Sequence, residues 1–111
     1  MQRWLESYSY DVVVSSVLAR LQDVWVCWNC NGREDVSLVR DLNLGGLFLD
    51  TQWRRVIGTP MNVDFLVGEG QIRAKAIVKH LAPNRGLGLK FTAITEQDRS
   101  RFAALMRRVR S

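Results

Sequence analysis

The sequence predicts a mainly β domain: a six-stranded antiparallel β-barrel with a C-terminal α-helix and a short N-terminal extension. Three observations predict it. Apolar and polar residues alternate with a period of two after residue 22, turn residues punctuate that alternation, and the period changes to 3.6 over the closing residues. Six short strands and one amphipathic helix cannot all bury a face in an open sheet, whereas closure of the sheet with the helix as a lid removes the exposed edges. At 111 residues the chain has the length of a single core. We divide it into an extension, 1–22, and a barrel domain, 23–111.

In the extension, Trp4, Leu5, Tyr8, Val12, Val13, Ser16, Val17 and Leu21 approximate one helical face, while "YDVVVSSV" is β-branched and equally suits a strand. The first barrel strand, "DVWVCWN", is apolar on both parities and reads as a central strand covered on its outer side. Trp25 and Trp28 are three apart, so they face opposite ways and at most one enters the core. Asn31-Gly32 supplies a turn that accepts positive φ.

"DVSLVRDL" is the second strand, with Arg40 as an outward-facing strand arginine, and "GLFLDT" is the third. Trp53 follows in a loop, flanked by Arg54 and Arg55; a tryptophan beside arginines suits an interface hot spot or base stacking, but we read it as loop packing, since tryptophan is usually buried for its area. "MNVDFLV" turns Met61, Val63, Phe65 and Val67 to one side, and Gly68-Glu69-Gly70 closes a hairpin into "QIRAKAIVKHL", with Ile72, Ala74, Ala76 and Val78 inward. After the Pro83-Asn84-Arg85-Gly86 turn, "LGLKFTAI" places Leu87, Leu89, Phe91 and Ala93 on one face. In "TEQDRSRFAALMRRV", Thr95 is the N-cap with Asp98 three residues on. Phe102, Leu105, Met106 and Val109 form an apolar stripe, and Arg107, Arg108 and Arg110 form a solvated, dipole-matched last turn.

Composition excludes several function classes. The 47% hydrophobic and 24% charged residues are those of an ordinary globular domain, and no apolar run approaches the ~18 residues of a spanning helix. The N-terminus lacks the pattern of a secretory signal, so the expected location is cytoplasmic. Cys27 and Cys30 form a C-x-x-C, but His80 is the sole additional soft ligand, one short of a structural zinc quartet. We read the pair as ordinary thiols at a strand end. With one histidine, no neighbouring nucleophile and no phosphate loop opening a helix, no catalytic constellation is present, and the expected function is not enzymatic.

Charge is uneven. Residues 1–36 carry three arginines against five acids, and residues 37–111 carry 13 lysines and arginines against six. The basic half suits an anionic partner, of which nucleic acid is the weaker candidate.

The stretch "VRDLNLGGLFLDT" stands out. Asp41 and Asn43 end a strand, and Gly45-Gly46 follow; such side chains often bond their own backbone in an Asx turn. Alternatively, an exposed acid, an amide and bare backbone NH groups suit a purine edge or a phosphate. The spacing D-x-N-x-x-G at Asp41, Asn43 and Gly46 resembles the D-x-S-x-x-G motif of PilZ domains, bacterial receptors for cyclic di-GMP. "GTPMNVDFLV", "IRAKAIVKHLAPNRGLGLKF" and the closing helix follow that family's order, so the resemblance covers about residues 20–110.

It implies a PilZ-type barrel that binds cyclic di-GMP at Arg20, Asp41, Asn43 and Gly46 and relays the signal to a protein partner whose identity the sequence does not carry. No resident cofactor or metal is implied; cyclic di-GMP is the candidate regulatory ligand. Arg20 occupies the place of the second arginine of the family's R-x-x-x-R motif, Ser16 stands where the first would be, and Asn43 replaces serine. These departures leave a second reading, a domain that no longer binds the nucleotide and acts by protein contact alone.

Overall fold

The computed structural model describes residues 24–82 and 85–110; the expectations for 1–22, Ser16 and Arg20 among them, lie outside the described residues. Six strands, β1 (Trp25–Cys30), β2 (Arg33–Asn43), β3 (Gly46–Asp50), β4 (Pro60–Leu66), β5 (Ile72–Ala82) and β6 (Gly86–Ile94), precede one helix, α1 (Glu96–Arg110). They close into a barrel in the order β1-β2-β3-β6-β5-β4, every neighbouring pair antiparallel.

Alternation builds the core as expected. Val26, Trp28 and Cys30 of β1, Met61, Val63 and Phe65 of β4, and Ile72, Ala74, Ala76 and Val78 of β5 are buried. Trp28 is the tryptophan that enters the core, and its indole Nε1 donates to Ser37 Oγ at 2.9 Å, which satisfies both buried polar groups. Trp25 faces outward and is 44% exposed, so the described residues do not cover the outer side of β1 as the apolar parity suggests. Asn31 (φ 53°) and Gly32 (φ 83°) make the tight turn into β2.

Helix α1 joins this core through Phe102, Leu105, Met106 and Val109, all buried. Fully burying such side chains contributes about 1.5–3 kcal/mol each, which stabilises a helix too short to persist alone. Phe102 meets Phe91 edge-on at 5.6 Å and Phe65 at 6.0 Å, so the helix closes one end of the barrel with an aromatic trio.

Its polar side is fastened as well. Thr95 Oγ1 accepts from Asp98 N at 3.2 Å, confirming the cap. The Asp98 carboxylate reaches across to β5, where it accepts from Arg73 N at 2.9 Å and Arg73 Nε at 3.3 Å, and also takes Arg101 at 3.0 Å. Arg108 is not merely solvated: it grips Glu69 of the β4–β5 turn with two bonds, at 2.6 and 3.2 Å.

Three register shifts interrupt the alternation. In β2, Val39 pairs with Leu49 and Asp41 with Phe48, leaving Arg40 as the extra residue. In β6, Phe91 pairs with Ala76 and Ala93 with Lys75, leaving Thr92 extra; in β5, Lys79 is extra between Val78 and His80. The β6 bulge corrects one expectation: parity inverts after Phe91, so Ile94 packs against the core and Ala93 is exposed.

Candidate functional site

The bulge at Arg40 positions the acid and amide of the corner. Ser37 and Val39 point inward, and strict alternation would carry Asp41 and Asn43 inward with them. One extra residue inverts the parity, so Leu42 is buried instead, and Asp41 and Asn43 turn outward, each half-buried. Arg40 is therefore a bulge residue rather than a regular strand arginine.

Two cross-strand rows cover this outer face of β2, β3 and β6. Asn43 pairs with Gly46, and Gly46 pairs with Lys90, so bare glycine backbone lies between a carboxamide-bearing and an ammonium-bearing residue whose backbones are two strand spacings, about 10 Å, apart. The next row runs Asp41, Phe48, Gly88. Phe48 packs over the outer glycines of β6: a Cβ added to Gly86 would lie 3.1 Å from its ring. Phe48 is buried yet stands apart from the main core cluster.

Gly46 is required by geometry, because a Cβ there would run into the Leu89 carbonyl oxygen. Its presence in the motif lets β3 approach β6. Asn43 also has a structural task. Its Oδ1 accepts from Gly45 N at 2.8 Å and Gly46 N at 3.0 Å, an Asx-type turn that leaves the carboxamide nitrogen as the outward group. The backbone NH groups expected to await a phosphate are thus bonded to Asn43, which corrects that part of the sequence reading.

Leu44, at the tip of the turn, is 67% exposed and borders a groove of about 430 Å³ whose other walls are Phe91, Ile94, Arg99 and Phe102. Arg99 and Lys90 are exposed cations near the corner that the sequence reading did not include. Lys90 is 44 positions from Gly46, and only strand register brings them together, so no local signal marks it.

The structure thus brings Asp41, Asn43 and Gly46 to one outer face, while Arg20 lies outside the described residues. Cys27 and Cys30, three apart on β1, face opposite sides and are free thiols, Cys30 in the core with Arg55 Nε donating to its sulfur at 3.3 Å. The Cys27 thiol donates to Glu34 at 3.5 Å, and partial burial, then that bond and nearby acids, raise its pKa. Among the described residues, no three His, Cys, Asp or Glu side chains group as metal ligands. Trp53 is not packed into its loop but 38% exposed, with the Arg33 guanidinium 3.3 Å above its ring centroid and that of Arg55 5.2 Å away. No helix of the described residues is long and apolar enough to cross a membrane.

No curated protein matches the chain in sequence. The family model described as PilZ domain matches residues 16–108, a span that takes in all six strands of the barrel, the D-x-N-x-x-G corner and nearly all of α1. With the greater part of its length matched and its fold agreeing, the chain belongs to the PilZ domain family, whose members are signalling modules of the cyclic di-GMP-binding type.

Proposed function

We propose that this domain is a non-catalytic cyclic di-GMP receptor module that binds its ligand on the outer face of β2–β3–β6 and relays it to a protein partner. The observation that carries the reading is the Arg40 bulge, which turns Asp41 and Asn43 outward beside the Gly46 floor. A carboxylate there accepts from the NH groups of a guanine edge, and the Asn43 carboxamide nitrogen donates to its oxygen. Lys90, across the glycine, offers a point charge to a phosphate, and Arg20 is the matching family arginine.

Serine at position 16 removes one guanidinium from the family's set. A charge-assisted contact is worth about 1.5–3 kcal/mol, so binding is weaker by roughly tenfold to a hundredfold than at a site with both arginines. Isothermal titration with cyclic di-GMP tests this. Heat is expected in the micromolar range, lost in Asp41→Ala and strengthened by Ser16→Arg with Asn43→Ser. Absence of heat up to high micromolar ligand sinks the proposal.

One observation favours the second reading, an interaction module without ligand. Asn43 Oδ1 already holds the Gly45 and Gly46 NH groups. A silent wild type that gains strong binding in the double variant would establish it.

A further inference from the structure

The barrel end remote from the D-x-N-x-x-G corner gathers the C-terminal end of β1, the start of β2 and the loop from Thr51 to Thr59. We infer that this end is a docking surface for a partner protein that presents an acidic side chain beside an apolar one. The surface consists of Arg33, Trp53, Arg54, Arg55, Val56 and Ile57.

The loop is held in shape by backbone bonds, two of them to β5. Gly58 N donates to Val78 O at 2.7 Å, Val78 N to Thr59 O at 2.9 Å, and Thr59 N to Val56 O at 3.0 Å. With its polar groups bonded, the turn displays Val56 at 78% and Ile57 at 58% exposure. Two adjacent aliphatic side chains on a fixed turn are a patch to be covered, not a fluctuating tip.

Beside them, Arg33 lies flat on Trp53, and Arg55 is pinned by Cys30 Sγ and by the Arg54 carbonyl, to which its NH1 donates at 2.8 Å. These side chains have little rotamer freedom left to lose, so their remaining NH groups meet a carboxylate at low entropic cost. Among the described residues, Asp35 is the one acid that pairs with any of the three arginines, and its contact with Arg33 is long at 4.0 Å. Charge complementarity therefore asks for an acidic partner. Tryptophan and arginine beside exposed aliphatics is the composition of an interaction hot spot.

A protein fits better than a nucleic acid. Base stacking needs an open aromatic face, and the Arg33 guanidinium covers one face of Trp53 at van der Waals distance. Val56 and Ile57 offer nothing to a sugar-phosphate chain. The surface acts whether or not the opposite corner holds cyclic di-GMP, so its test uses no nucleotide ligand.

Panning the immobilised full chain against a random peptide library supplies the test. Enriched peptides are expected to join Asp or Glu to an apolar residue and to bind less well as salt rises. Their Kd should increase at least about tenfold in Arg33→Ala and in Val56→Ser with Ile57→Ser, all solvent-exposed positions that leave the core intact. Asp41→Ala should leave it unchanged. No enrichment, enrichment of peptides without acids, or unchanged Kd in these variants overturns the inference. So does binding of a single-stranded oligonucleotide that Arg33→Ala abolishes.

Discussion

Gly46 and Asn43 sit three positions apart in one motif, yet they are constrained by different physics, and substitution should separate them. Gly46→Ala pushes a methyl group into the Leu89 carbonyl on the neighbouring strand, a backbone collision that no rotamer relieves. It is expected to cost about 1–3 kcal/mol, measured by urea unfolding, and to loosen the β3–β6 ladder. Asn43→Ala removes an acceptor from two exposed or half-buried NH groups that water partly replaces, so the cost is smaller, about 1 kcal/mol. Equal losses in the two variants would contradict the assignment of Gly46 to close strand approach. Cys27 offers a second check at this scale. Its partial burial and the Glu34 carboxylate favour the neutral thiol, so the midpoint of its alkylation-rate profile should lie above that of an ordinary exposed thiol. Glu34→Gln should move that midpoint down; an unchanged profile would mean that the 3.5 Å contact carries no charge effect.

At the scale of elements, the attachment of α1 depends on two carboxylates that span different parts of the chain. Asp98 is held below the usual carboxylate range chiefly by the Arg73 backbone NH and then by the Arg73 side chain, and Glu69 chiefly by its bond from Arg108. A carboxyl whose folded pKa is depressed stabilises above its unfolded value and loses that contribution as pH falls through the folded one. The melting temperature should therefore decline from about pH 5 downward. Asp98→Asn should lower it by several degrees at neutral pH and flatten the acid slope; a variant as steep as the wild type would place the acid sensitivity elsewhere. The helix, its cap and its buried stripe were legible in the sequence because all depend on neighbours three or four residues apart. Strand number and closure followed from alternation and from the need to bury six faces, whereas the order of the strands around the barrel came only from their pairing. The bulges at Arg40 and Thr92 were not legible, since an inserted residue shows only against a partner strand. They decide which way Asp41, Asn43 and Ala93 point. The same limit hid Lys90 from the site and Arg33 from Trp53, contacts made by register and loop placement rather than by spacing.

For the whole molecule, closure places two candidate surfaces at opposite ends of one core. The corner end carries Asn43, Leu44 and the groove against α1, while the other carries Trp53 and its arginines. Between them lie side chains from all six strands, with Val26, Val39, Leu49, Val63, Val78 and Leu87 nearly inaccessible to solvent. Such interiors are close-packed and resist continuous deformation, so a local change at one end does not travel far unless an element has two discrete arrangements. Helix α1 is the element placed to move, because Leu44 of the corner and Phe102 of the helix border the same groove. Cyclic di-GMP added to isotopically labelled protein should therefore shift the amide signals of residues 41–46, 89–94 and 99–103. Those of 53–57 should stay in place. Shifts at both ends, abolished together by Asp41→Ala, would show that the barrel transmits ligand occupancy to the arginine-tryptophan surface. Shifts confined to the corner and helix would make the far end a constitutive dock, with regulation of any bound partner exerted through α1.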